Sequence, residues 1–273
     1  MNGSRRHAYA ALLLAAVAQA QPAPIVEMPE RAAQGAMIIG RTLPAAEVHV
    51  GERRLAVDAQ GRFVFGVGRD ENGPLHVRVQ APGAADHVAR IEILPRDWPI
   101  QRINGVPPAT VNPPPALAAR IARENARIVA ARRTDSRNTG FAQAFIWPVQ
   151  GRISGRFGNQ RVFNGTPKSP HSGMDIAAGQ GTPIKAPAAG TVTLAEKNFY
   201  LTGGTVMIDH GHGISSNFLH LSRLDVKVGD VVKQGDVVGA VGSTGRSTGP
   251  HLHWGMTWFD VKIDPLLVLE AAR

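Results

Sequence analysis

The histidines of this chain are concentrated near its carboxyl end. Six of the ten lie between His171 and His253, and the last two form the tripeptide His251-Leu252-His253. Side chains two residues apart on a β-strand point to the same face, so both imidazoles share one face while Leu252 and Trp254 share the other. Imidazole is the commonest protein metal ligand and a side chain suited to proton transfer near neutral pH. The pair therefore indicates metal binding or acid–base chemistry.

A second segment offers an imidazole and a carboxylate four residues apart, His171 and Asp175. Pro170 and Gly173 argue against a helix here. In an extended chain, positions 171, 173 and 175 share a face, and Gly173 leaves room between the two polar side chains. His171, Asp175 and His253 together offer two nitrogens and one oxygen, which is the ligand count of a catalytic zinc site with an open fourth position. The chain has no cysteine, so a thiolate zinc site is excluded.

Two further histidines are predicted to transfer protons beside this metal. His251 lies on the strand face of His253, where crowding makes it a poor additional ligand. His220 is expected on the strand face opposite Leu219 and Leu221. A zinc-bound water has a pKa near about 7. One imidazole can take its proton, and the other can stabilise the tetrahedral intermediate or protonate the leaving amine.

The stretch from Trp147 to about Leu269 resembles the LytM/lysostaphin-type zinc metallopeptidases. The matching segments are Gly151–Gly158, His171–Asp175, Asp209–Gly211, His220–Ser222 and Gly249–His253. The resemblance implies that His171, Asp175 and His253 bind one zinc ion and that His220 and His251 are catalytic. It also implies an endopeptidase that hydrolyses the peptide cross-links of peptidoglycan through a metal-activated water.

The composition favours an all-β fold. Thirty glycines and twenty prolines predict many tight turns, and 43% hydrophobic residues suit a globular protein. In the predicted metallopeptidase domain, residues 141–273, two similar turn–strand–turn segments at 181–190 and 231–239 resemble the hairpins of lipoyl-type barrels. We therefore predict a β-barrel-like (barrel-sandwich) domain, without a carrier lysine.

His212, between Gly211 and Gly213, is expected to be an exposed turn residue. His210 is expected to form a hydrogen-bonded wall of the site.

The segment from residue 21 to 95 is predicted to form a small accessory domain. Short β-rich runs recur about every ten residues and are separated by turn residues, which indicates an immunoglobulin-like β-sandwich. The predicted strands are Met37–Ile39, Glu47–Val50, Arg53–Val57, Arg62–Phe65 and Leu75–Val79.

Residues 96–140 are predicted to be a proline-rich linker with one helix. Pro107-Pro108 and Pro113–Pro115 indicate an extended chain. The apolar spacing that follows predicts a helix over Ala116–Arg133. Its arginines at 120, 123 and 127 form a basic face. That face either contacts an anionic surface or a cell-envelope protein, or belongs to a helix packed against its neighbour.

The first twenty residues have the pattern of a signal peptide. A basic start at Arg5 and Arg6 precedes an apolar run from Ala10 to Ala18, and Ala18-Gln19-Ala20 has the small-x-small form of a cleavage site. The run is shorter than the ~20 residues that cross a bilayer. We therefore predict export to the periplasm or cell envelope, with no stable membrane insertion after removal of this segment.

The formal net charge of +9 favours an anionic partner. Nucleic acid is not predicted, because the sequence has no recognition helix or stacking motif and only 5% aromatic residues. Peptidoglycan is the predicted partner. The alternative is a non-catalytic protein of the same fold that binds peptidoglycan or activates a separate hydrolase. Such proteins typically lack some metal ligands, and this chain lacks none.

Overall fold

A computed structural model of the protein describes residues 26–105 and 113–271. The predicted signal peptide and Pro107-Pro108 lie outside these residues. Strands dominate the described part, with one long and one short α-helix, so the prediction of a mostly β protein is confirmed. Within the described ranges, neither helix combines the length and apolar character needed to cross a membrane.

Short strands make up the described chain before residue 106. They are β1 (Arg31–Ala33), β2 (Met37–Arg41), β3 (Glu47–Val50), β4 (Arg53–Leu55), β5 (Arg62–Gly66), β6 (Leu75–Gln80), β7 (His87–Leu94) and β8 (Ile100–Ile103). All five predicted strands are present, whereas β1, β7 and β8 have no predicted counterpart. One sheet has the order β1-β7-β6-β3-β4, and β2 pairs with β5. The immunoglobulin-like sandwich and the domain boundaries stay predictions.

Most strands after residue 150 belong to one large sheet. They are β9 (Arg152–Gly155), β10 (Gln160–Phe163), β11 (Thr166–Pro167), β12 (Met174–Ala177), β13 (Pro183–Lys185), β14 (Gly190–Phe199), β15 (Gly203–Gly211), β16 (Ile214–Leu221), β17 (Arg223–Leu224), β18 (Val231–Val232), β19 (Val237–Ala240), β20 (His251–Trp258) and β21 (Val261–Ile263). The large sheet has the order β18-β14-β15-β16-β20-β12-β9, with β21 on β20. The two similar segments supply β13 and β19, which pair with each other. Closure into a barrel stays a prediction.

The hydrophobic core is continuous between the two parts of the chain. Buried side chains of β2 to β7 and of the large sheet form one apolar cluster. At their junction the rings of Phe65 and Trp258 meet edge to face, 6.3 Å apart. Gly66 permits this close approach, since an added Cβ would lie 3.0 Å from Cβ of Trp258.

The long helix α1 (Pro115–Arg132) agrees with the predicted helix to within one residue at each end. Proline at its first position is favourable, because that residue has no intrahelical hydrogen bond to lose. Ile128 and Ala131 pack on an apolar cluster of β14 and β15. Arg120 donates a hydrogen bond to Asn198 O, and Arg127 pairs with Glu196. Two arginines of the basic face therefore contact the same chain. A short helix, α2 (Pro265–Ala271), ends the described residues.

The predicted linker contributes strand β8 to a three-stranded sheet with the order β11-β10-β8. Strand β8 pairs in parallel with β10, so Ile100 lies opposite Gln160 and Gln101 opposite Arg161. This pairing was not predicted. It carries residues 100–105 to the rim of the cleft described below.

Candidate metal centre

The pairing of β12 with β20 brings together residues 78 positions apart. In this antiparallel pair Asp175 lies opposite His253, and Ala177 lies opposite His251. Directly opposed residues of antiparallel strands have adjacent side chains. His171 precedes β12, and its backbone is held by hydrogen bonds to Gly158 and Asn159. Strand pairing therefore positions Asp175 and His253, and these backbone hydrogen bonds hold His171 near the same end of β12.

The polar atoms of these three residues converge on one point. Oδ1 of Asp175 lies 2.8 Å from Nδ1 of His253 and 3.1 Å from Nε2 of His171. The two nitrogens are 3.1 Å apart. Each of the three residues can thus direct one ligand atom at a shared metal position. We call these residues the trio.

The hydrogen bonding of the trio fits a bound cation. Nδ1 of His171 lies 2.9 Å from Arg156 O, which can only accept, so Nδ1 carries the hydrogen. In the neutral ring Nε2 then presents a lone pair to Oδ1 of Asp175, which also only accepts. Two acceptors in contact need a proton or a cation between them. Two imidazoles and one carboxylate are a zinc donor set, and a carbonyl behind a ligating histidine is the usual support.

Burial and mutual contact set the protonation states of Asp175 and His253. Burial lowers the pKa of His253 to about 4 and is opposed by its hydrogen bond with Asp175. Burial alone would raise the pKa of Asp175, but hydrogen bonds with His171 and His253 bring it well below its ordinary value. At neutral pH Asp175 is therefore ionised and His253 neutral, as metal binding requires.

Two glycines make room for the trio. A Cβ at Gly173 would lie 2.5 Å from Trp254 O and 2.8 Å from Nε2 of His253. A Cβ at Gly155 would lie 2.3 Å from Oδ2 of Asp175. Gly173 thus provides space as expected, although the space admits β20 rather than separating His171 from Asp175.

His220 is turned toward the trio by an irregularity in β16. Gly204 pairs with Leu221 and Val206 with Phe218, so one residue of β15 faces two of β16, which is a β-bulge. His220 lies in this bulge with a φ of 68°, a left-handed conformation that is unfavourable for a non-glycine residue. Such strain is concentrated at functional sites. Nδ1 of His220 donates to Thr244 O at 2.8 Å, which leaves Nε2 unprotonated.

His251 stands beside His220 and faces the trio. Nδ1 of His251 donates a 2.8 Å hydrogen bond to Gly249 O. Its Nε2 lies 3.9 Å from Oδ1 of Asp175. The rings of His220 and His251 are 4.9 Å apart. All five predicted site residues therefore meet at one place.

The site opens into a cleft of about 610 Å³. Its lining includes Asp175, His220, His251 and His253, together with residues that were not predicted: Gln101, Asn104, Arg161, Phe163 and Arg246. Arg246 lies five residues before His251, and this short distance along the sequence was the one signal that could have indicated a residue of the cleft. The others reach the cleft through pairing of β8 with β10.

Two other histidines have structural contacts instead. The prediction that His212 is exposed is wrong: it is 4% exposed, its Nδ1 bonds Ala56 O, and its ring lies 4.5 Å from that of Phe141. The turn is covered by the amino-terminal part, which the local sequence could not indicate.

His210 is hydrogen-bonded, as expected, but its partner Ser216 also accepts from Trp254. Trp254 points away from the trio, so His210 belongs to the core rather than to the cleft wall.

Comparison with known proteins gives consistent matches. Residues 169–265 match Peptidase family M23. The crystal structure of a candidate peptidase M23 from Pseudomonas aeruginosa superposes with a TM-score of 0.68 and 32% identity, covering 88% of this chain and 95% of that one. An uncharacterised metalloprotease of Haemophilus influenzae is 41% identical over 135 residues, 47% of this chain and 27% of that protein. The peptidoglycan DD-endopeptidase ShyA of Vibrio cholerae is 40% identical over 104 residues, 38% of this chain and 24% of ShyA. The chain thus spans less than a third of these two curated relatives.

Proposed function

Because the chain belongs to peptidase family M23, we propose that it is an exported zinc metalloendopeptidase that hydrolyses peptide cross-links of peptidoglycan. The observation that carries the proposal is the convergence of the trio with two further imidazoles in one open cleft. Relatives named as peptidoglycan DD-endopeptidases support the substrate. The net charge of +9 favours adsorption to an anionic cell wall. The signal-peptide pattern of residues 1–20 supports a periplasmic or cell-envelope location.

In this proposal His171, Asp175 and His253 hold the zinc ion. When bound, zinc supplies a Lewis acid that polarises a peptide carbonyl and makes water a nucleophile near neutral pH. The carboxylate of Asp175 offsets part of the metal charge. Arg156 O fixes the ring of His171 through Nδ1, so that Nε2 remains available as a ligand.

His220 and His251 carry the proton transfers. Each donates its Nδ1 hydrogen to a backbone carbonyl, which orients its ring and leaves Nε2 free on the cleft side. Burial, opposed by the hydrogen bond to Thr244 O, lowers the pKa of His220 and keeps it neutral. A neutral imidazole can take a proton from the nucleophile and return it to the leaving amine. The second imidazole can donate from Nε2 to the oxyanion that develops on the peptide carbonyl when that ring carries a second proton.

The non-catalytic alternative has less support. A protein that only binds peptidoglycan has no need for three converging metal-binding atoms or for a strained histidine beside them. Here the trio is complete and the bulge in β16 places His220 at the cleft. Two arginines of the basic helix, moreover, contact their own chain, which leaves less of that face for a partner.

The test is to measure zinc content and the release of new amino termini from purified peptidoglycan. Wild type should bind one zinc ion per chain and cleave, whereas His253→Ala should lose both properties. His76→Ala, an exposed histidine on β6, is the matched control and should retain both. Wild-type protein that binds no zinc and releases no amino termini would refute the proposal.

A further inference from the structure

Two arginines that the proposed mechanism does not use lie beside the trio. Arg161 on β10 and Arg246 in the loop before β20 both line the cleft. Both also line an adjoining cavity of about 580 Å³ that reaches Tyr200 and Ile121 of helix α1. The two guanidinium groups therefore stand where the cleft continues away from the trio.

Arg161 has hydrogen-bonding capacity that the described residues do not satisfy. Its Nη2 lies 3.6 Å from Oδ2 of Asp175, its one ion pair among the described residues. Its Nε is buried and has no partner in the described part of the chain. A guanidinium offers five N–H donors, so one long contact leaves most of them unused. Asp175 also faces His171 and His253, which further divides its charge.

Arg246 adds a second positive charge to the cleft. Its guanidinium lies over the ring of Phe163, with Cζ 5.8 Å from the ring centre. It forms no salt bridge within residues 26–105 and 113–271. Partial burial and then the charge of Arg161 lower the pKa of Arg246, as expected for two like charges close together. The pair has a surplus of positive charge that faces open space.

We propose that Arg161 and Arg246 form a carboxylate-binding subsite that selects peptides with a free carboxylate next to the bond to be cleaved. Guanidinium groups match the geometry of carboxylates and can bind them through two parallel hydrogen bonds. Arg161 touches the carboxylate of Asp175, and an extended peptide advances ~3.3–3.6 Å per residue. An anion held by the pair is thus within one or two residues of a peptide bond at the trio. This specificity rests on the proposed peptidase function.

The test compares two ligands that differ only in charge. Acetyl-D-alanyl-D-alanine and its carboxyl-terminal amide are titrated into the zinc-loaded protein and followed by NMR. Wild type should bind the free acid about tenfold more tightly than the amide, since the acid forms charged hydrogen bonds. Arg246→Gln should lose most of this preference. Arg223→Gln, which removes an exposed arginine paired with Asp225, is the matched control and should keep it.

The outcomes separate this subsite from zinc binding and from catalysis. A carboxylate held by the zinc ion alone would keep its preference in Arg246→Gln, and that result would overturn the proposal. Equal binding of acid and amide by wild type, or no detectable binding, would do the same. Selective binding by a protein that cleaves no peptidoglycan would leave the subsite standing and refute the peptidase. Zinc content should be unchanged in Arg246→Gln, because Arg246 has no contact with the trio.

Discussion

Asp175 and His253 face each other across the antiparallel pair of β12 and β20, with Oδ1 2.8 Å from Nδ1. This backbone register, rather than a flexible loop, sets the distance between two of the three proposed metal ligands. A ligand pair built on paired strands needs little reorganisation when a metal binds, because the strands fix both Cα positions. The relationship makes the trio sensitive to changes in either strand.

Asp175→Asn should greatly weaken zinc binding while leaving the fold intact. The amide keeps the size of the side chain but removes the negative charge that faces His171 and His253. We expect a loss of about 10–100-fold or more in zinc affinity, measured by competition with a chromogenic chelator. Asp225→Asn on the exposed surface should bind zinc like wild type. Unchanged zinc affinity in Asp175→Asn would remove Asp175 from the ligand set.

His220→Ala should separate catalysis from metal binding. The ring of His220 lies 6.4 Å from that of His253, and His220 is not one of the three residues whose ligand atoms converge, so zinc content should stay at the wild-type value. Peptidoglycan cleavage should fall about 10²–10⁴-fold, the usual contribution of a positioned acid or base. Loss of zinc together with activity would instead indicate that His220 supports the metal site.

The left-handed backbone at His220 predicts a difference in stability between two substitutions. Glycine adopts a φ of 68° freely, whereas alanine there costs about 1 kcal/mol. His220→Gly should therefore have a higher free energy of unfolding than His220→Ala, by that amount, in urea titrations. At a right-handed helical position glycine is the less stable of the two. A lower free energy of unfolding for His220→Gly than for His220→Ala would therefore contradict the left-handed conformation.

Gly173→Ala should disturb the metal site directly. The added methyl group would approach Trp254 O and His253, which are held in β20. We expect a destabilisation of about 1–3 kcal/mol, typical of overpacking, together with weaker zinc binding. Gly73→Ala is the control, because a Cβ there meets no atom of the described residues within 4 Å. Equal melting temperatures and zinc affinities for the two variants would refute the steric argument.

The metal-free protein should lose stability as the pH falls from about 6.5 toward 4. Burial lowers the pKa values of His210 and His253 to about 4 in the folded protein. An unfolded histidine titrates near about 6.5, so in this window the unfolded chain binds more protons and is favoured. Each histidine contributes up to about 1.4 kcal/mol per pH unit. Urea titrations should show a shallower pH dependence for His210→Gln than for the exposed control His76→Ala.

The sequence alone predicted the residues of the proposed site and several local elements of the fold. The helix at 115–132 and five strands between residues 37 and 80 follow from local apolar spacing and turn residues. The four site histidines and the one carboxylate were chosen by residue type, by i, i+2 and i, i+4 spacing and by family resemblance. These are properties of short segments, which a sequence displays directly.

The tertiary structure decided what depends on distant segments. Three features of the site and its surroundings require contacts between remote parts of the chain. They are the register that opposes Asp175 to His253, the bulge that turns His220, and the burial of His212 against residue 56. Strand β8 has no strong local pattern and forms by pairing with β10, which brings linker residues and Arg161 to the cleft. Strand pairing and burial are cooperative properties of the folded chain, so no single segment encodes them.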